Sequence, residues 1–126
     1  MMTLEECYRR IGGDAVEVAD RMSGKEFVQR YIVKFLDDDS FDMLSDAVQN
    51  GEREEAFRAA HTIKGICQTF GFGSLLASVE RLTESLRTEA EELPPDTDEL
   101  FAQVRADYDL TVGAIRAYAR EKEELL

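Results

Sequence analysis

Residues 60–71 read AHTIKGICQTFG and hold the chain's single histidine, His61. Around them Ala56, Ala60, Ile63, Cys67 and Phe70 recur in alternating steps of four and three, the signature of one apolar helix face. Asn50-Gly51 stops the chain before this run, and Gly71 and Gly73 end it, so a helix is expected from about Glu52 to Phe70. Successive helical residues turn by about 100°. With Ala60 set at zero, the apolar line covers roughly a quarter of the circle, and His61, Gly65 and Gln68 fall about 100° or more from its centre. Lys64 sits between the two groups. The imidazole is therefore expected to face solvent rather than the core.

The same pattern extends in both directions. TLEE at the N-terminus fits a capping box, with Thr3 as N-cap and Glu6 at the third helical position. Gly12-Gly13 ends that short helix, Asp14 starts another through Met22, and Ser23-Gly24 breaks it. Phe27, Val28, Tyr31, Ile32, Phe35 and Leu36 stripe a helix over about 25–38. Ser40 reads as the N-cap of the next, striped by Phe41, Leu44 and Val48. Beyond Gly73, Ser74 reads as an N-cap and Leu75, Val79, Leu82 and Leu86 form another line. EAEELPPDTD is the longest expected loop. Phe101, Val104, Tyr108, Val112, Ile115 and Ala119 then stripe a long last helix ending in REKEE.

The expected fold is all-α: an antiparallel up-and-down four-helix bundle with one or two short N-terminal helices. Short connections make neighbours antiparallel, and one apolar stripe per helix is best buried in a bundle. The 126 residues suit a single domain spanning 1–126. A hydrophobic fraction of 44% is too high for a disordered chain. The only two prolines, Pro94 and Pro95, are adjacent in the long loop, and β-branched residues are not clustered, which favours helices over strands.

A formal charge of −12 repels nucleic acid and anionic membrane, so neither is an expected partner. The acidity keeps the domain soluble or selects basic patches on protein partners. Cys7 and Cys67 are too few for a disulfide framework, and Cys67, on the apolar face, reads as a small buried residue. MMTLEECYRR lacks the apolar run of a signal peptide, and no stretch approaches a membrane span. A cytoplasmic, monomeric, freestanding protein is expected.

The neighbours of His61 carry the chemistry. Lys64, one of only four lysines, lies one turn on, and Arg58 one turn back. Their cations suit an anion at the imidazole. Gly65 costs a helix about 1 kcal/mol relative to alanine and so calls for a reason. Either it admits another protein's surface to the ring, or it lets a neighbouring helix pack closely; its position away from the core line favours access. Gln68 either hydrogen-bonds a phosphoryl group or a partner, or is simply a polar side chain in water. An imidazole with a free pKa of ~6.5 is nucleophilic near neutral pH, attacks phosphorus in-line, and holds the phosphoryl group as a phosphoramidate. A zinc site is unsupported, with no second histidine and no Cys-x-x-Cys. No Gly-x4-Gly-Lys-Ser/Thr loop is present. With no ATP site, the chain reads as a phosphoryl carrier, not a kinase by itself, and the phosphoryl group arrives on another protein.

Ala60-His61-Thr62-Ile63-Lys64-Gly65, followed by Gly71 and Leu75, resembles the signature of histidine-containing phosphotransfer (HPt) domains of two-component phosphorelays. The likeness runs over roughly residues 1 to 120 and is strongest from Ala56 to Leu86. It implies that His61 accepts a phosphoryl group from a receiver-domain aspartate and passes it to another receiver. It implies that Mg²⁺ is held by the receiver and that this chain binds no cofactor or metal of its own. Lys64 would stabilise the phosphoryl oxygens, Gly65 would admit the receiver's loops, and Phe72 would help form the docking patch. Response-regulator receivers, and a hybrid histidine kinase, are the implied partners. Two positions depart from the family pattern. Ile63 stands for the usual leucine, and Thr83, with Glu84 beside it, stands where many members orient the imidazole with a glutamine or glutamate. Two other readings stay open: a non-phosphorylated helical adaptor binding signalling partners through its acidic surface, and a domain acting directly under a histidine kinase.

Overall fold

The computed structural model describes residues 1–124; residues 125 and 126 of the expected domain lie outside the described residues. Within them the chain forms α1 (Leu4–Arg10), α2 (Ala15–Arg21), α3 (Lys25–Lys34), a 3₁₀ turn (Phe35–Asp37), α4 (Ser40–Gln49), α5 (Arg53–Phe70), α6 (Gly73–Leu86) and α7 (Thr97–Glu124). The described residues contain no strand, and the fold is an all-helical bundle. The caps explain the early boundaries. Thr3 Oγ1 accepts from the Glu6 N–H at 3.1 Å, and Asp14 accepts from Val16 and Glu17 at 3.0 and 3.2 Å, satisfying donors that a helix start leaves open.

Two N-caps differ from the sequence expectation. Ser40 is the first residue of α4, and its N–H is met by the Asp38 carboxylate at 2.8 Å. The same Asp38 leaves helical geometry, with ψ of 132°, so α3 tightens into the 3₁₀ turn and stops short of residue 38. Ser74 likewise lies inside α6, which begins at Gly73. Its N–H donates to the Ile11 carbonyl at 3.0 Å, a partner from the α1–α2 loop rather than from its own side chain.

α5 pairs with α4 on one side and α6 on the other, and α6 pairs with α7. The start of α5 lies against the end of α6: Arg53 donates to the Leu86 carbonyl at 2.9 Å and to the Ala90 carbonyl. A two-residue turn joins the opposite ends, so these two helices run antiparallel. Phe41 of α4 stacks on Phe101 and Tyr108 of α7, with centroids 5.7 and 4.1 Å apart. The apolar lines fill the interior. Ala56, Ala60, Ile63 and Cys67 from α5, Leu75, Val79, Leu82 and Leu86 from α6, and Val104 and Ile115 from α7 are all buried. Along α3 and the 3₁₀ turn the stripe is only half submerged: Val28, Ile32 and Phe35 are buried, while Phe27, Tyr31 and Leu36 stay partly exposed.

The α5–α6 turn is locked by the N-terminal helices. Gly71 caps α5 with φ of 70°, a left-handed conformation that glycine adopts without strain. A Cβ on Gly13 would stand 2.2 Å from the Gly71 carbonyl oxygen, and one on Gly73 would stand 2.0 Å from that of Gly12. The two glycine pairs therefore let backbone approach backbone. Tyr8 Oη donates to the Phe70 carbonyl at 2.7 Å, and Arg21 donates to that of Thr69 at 3.2 Å, closing the same junction.

Candidate functional site

His61 lies in the eighteen-residue α5 and is exposed, as its angular position relative to the apolar line requires. Its ring makes no hydrogen bond or ion pair with a described residue. Lys64, three residues on, is half-buried and forms no ion pair among the described residues. Helical side chains lean toward the N-terminus, so Lys64 leans back along the face that carries His61. Gly65 faces open space: a Cβ built there meets nothing within 4 Å. Close helix packing, the competing reason for this glycine, is thereby excluded. Gln68 is exposed one turn further along the same face. A solvent-facing imidazole, an uncommitted ammonium and a notch without side chain thus converge on the middle of one helix.

Three expected residues stand elsewhere in the structure. Phe72, expected near the docking patch, is fully buried. Its ring lies among those of Phe35, Phe70 and Tyr8 at 5.1, 6.1 and 6.4 Å, because the two-residue turn drives its one large apolar side chain inward. Arg58, expected to lend its charge to the ring, is exposed, but its guanidinium pairs with Glu54 and Glu55 at 2.8 and 3.0 Å, toward the helix N-terminus and away from His61. Thr83, expected to orient the imidazole, is fully buried. Its hydroxyl donates to the Val79 carbonyl of its own helix at 2.7 Å, and no hydrogen bond joins it to His61. Neighbouring Glu84 pairs with Arg87 at 3.4 Å.

The structure adds residues that sequence reasoning passes over. Phe57, one turn before His61, places its ring centroid 6.0 Å from the imidazole at an interplanar angle of 22°. The guanidinium of Arg87, the C-cap of α6, lies 5.1 Å from the Phe57 centroid. The i, i+4 spacing of Phe57 and His61 is the signal that points to this pair. On the other flank of α5, Ile66 and Phe70 line a groove of about 170 Å³ with Tyr31, Lys34, Phe35 and Asp38. The partly exposed apolar surface of this end of the bundle therefore comes from Ile66 and Phe70 rather than Phe72.

Neither thiol belongs to the site. Burial pushes Cys7 up to about 11 and Cys67 up to about 12, so both stay protonated and unreactive near neutral pH. No group of three or more His, Cys, Asp or Glu side chains among the described residues is placed to hold a metal ion. No helix among the described residues is long and apolar enough to cross a membrane.

Fold and site together define an all-helical chain that presents its one histidine to solvent from the middle of a bundle helix. The chain matches the Hpt domain family over residues 33–114, and it belongs to that family. Membership assigns it to histidine phosphotransfer in phosphorelays, among receiver domains and kinases. The match is shorter than the likeness read over residues 1 to 120, and it leaves α1 and α2 outside. No curated protein and no solved structure matches the chain.

Proposed function

We propose that the protein is a phosphoryl carrier between receiver domains, with His61 as the acceptor. An unprotonated ring nitrogen attacks the phosphorus of a receiver's aspartyl phosphate in-line. An N–P bond forms, the acyl O–P bond breaks, and the aspartate leaves as carboxylate. Attack by the aspartate of a second receiver reverses these bond changes and returns the free imidazole. The exposed His61, without a hydrogen-bond partner among the described residues on a chain of the Hpt family, carries this reading.

Lys64 offsets charge on the phosphoryl oxygens, Gly65 admits the receiver's loops, and Gln68 offers a hydrogen bond at the rim. Divalent metal, Mg²⁺ in this reading, is supplied by the receiver. α4 to α7 serve as an up-and-down four-helix bundle, supported by the antiparallel pairing of α5 with α6 and the short α4–α5 and α5–α6 turns. The carrier works as a single-domain monomer in the cytoplasm.

The test uses a panel of receiver domains from the same genome, loaded on aspartate with labelled acetyl phosphate. Incubation with one of them should leave acid-labile, base-stable label on the protein, and a second receiver should then remove it. His61→Gln should take no label while keeping its helical content and its stability within about 0.5 kcal/mol, because an exposed side chain is being replaced. Label that persists in that variant defeats His61 as the acceptor, and wild-type protein that takes no label from any receiver leaves the helical-adaptor reading in its place.

A further inference from the structure

We propose that Phe57 is the residue that positions the His61 ring for transfer, in the role that Thr83 does not fill. The inference rests on the phosphoryl-carrier reading and adds to it the means by which an exposed imidazole is held. Histidine in a helix has two accessible χ1 wells, and its χ2 is broad, so a solvent-facing ring without a hydrogen bond has no fixed direction. His61 has no hydrogen-bonding partner among the described residues, and the Thr83 hydroxyl is committed to the Val79 carbonyl. What the ring does have is a flat neighbour. Phe57 lies one turn toward the N-terminus, the direction in which the His61 side chain leans, with centroids 6.0 Å apart and planes 22° from parallel.

Phe57 is itself held. It is half-buried beside α6, and the Arg87 guanidinium lies 5.1 Å from its centroid. Arg87 is tied to Glu84 in turn at 3.4 Å. The imidazole thus rests beside a ring that is itself in contact with the neighbouring helix, and stacking on that ring narrows the directions its nitrogens take. An in-line attack depends on one such direction, and a ring free to rotate spends less time in it. Phe57 touches neither phosphorus nor partner in this proposal; it is a positioning residue and acts through His61.

Phe57→Leu keeps an apolar side chain that favours helix and removes the flat face, while Phe57→Tyr restores it. NMR of the folded protein should show the His61 ring-carbon protons losing their aromatic ring-current displacement in the leucine variant and regaining it in the tyrosine variant. Single-turnover transfer from an aspartyl-phosphorylated receiver should slow by roughly three- to tenfold in Phe57→Leu, the loss of one aromatic pair, and recover in Phe57→Tyr. A leucine variant that transfers at the wild-type rate, or whose His61 resonances do not move, overturns the inference while wild-type labelling upholds the carrier reading. Wild-type protein that takes no label from any receiver overturns both, and that failure appears in the control before any variant is compared.

Discussion

Gly65 shows how one atom's absence divides stability from function. The position lies inside a regular helix, where glycine costs about 1 kcal/mol relative to alanine, and nothing stands within 4 Å of a Cβ placed there. Gly65→Ala should therefore raise the unfolding free energy by about 0.5–1 kcal/mol in a urea titration. A longer side chain should fold as well and work worse. Gly65→Gln should slow receiver-dependent labelling of His61 by roughly ten- to a hundredfold, since it fills the approach to the ring. Equal transfer rates for glycine and glutamine would leave the open notch without a role. Lys64 and Arg58 make the complementary point. Both are cations within a turn of His61, but only Lys64 is free of ion pairs among the described residues, because Arg58 leans toward Glu54 and Glu55.

At the scale of elements, the decisive junction is the one between the α1–α2 loop and the α5–α6 turn. Its backbone segments touch at Gly13 and Gly73, where an added Cβ would meet carbonyl oxygens of Gly71 and Gly12 at 2.2 and 2.0 Å. A backbone oxygen cannot rotate away as a side chain can. Gly13→Ala and Gly73→Ala should each lower stability by about 1–3 kcal/mol, in the range of other overpacked sites. Amide exchange should locate the loss: protection should fall first at Ser74, whose N–H donates to Ile11 across the junction. Unchanged protection there, with stability lost, would place the damage elsewhere. Gly65→Ala and Gly73→Ala are the same chemical change at two helical glycines, yet their expected effects have opposite signs.

For the molecule as a whole, buried thiols and phenols set an alkaline limit. Burial raises Cys7 from 9.0 to about 11, Cys67 from 9.0 to about 12 and Tyr118 from 10.0 to about 12, and it raises Tyr8 as well. In this window the native state holds protons that the unfolded chain has already released. Stability from these groups is complete below the unfolded values and is lost as pH rises through the folded ones. Urea midpoints should hold near about pH 8 and fall steadily above about pH 9, by up to about 1.4 kcal/mol per pH unit for each such group. A flat profile across that range would mean these groups are not kept from water. The acidic surface adds to the trend, since the formal charge of −12 grows more negative over the same interval.

Helix periodicity is a property of the chain alone. A turn of about 100° per residue places His61 away from Ile63 and Cys67 whatever packs against them, so the helices, their core lines and the outward imidazole are legible in the residues themselves. The family signature lies within one such helix and is legible for the same reason. What periodicity does not contain is the identity of the neighbour across the gap. The family resemblance puts Phe72 in a docking patch, and nothing nearby in sequence reveals the rings of Tyr8 and Phe35 that enclose it. Ser74 looks like a cap because the Ile11 carbonyl that takes its N–H belongs to a distant part of the chain. Thr83 matches a facing position, yet its hydroxyl turns to its own backbone, and the ring beside His61 is that of Phe57, with the Arg87 guanidinium near it. Local geometry decides which way a side chain points; only the packing of distant segments decides what it meets there.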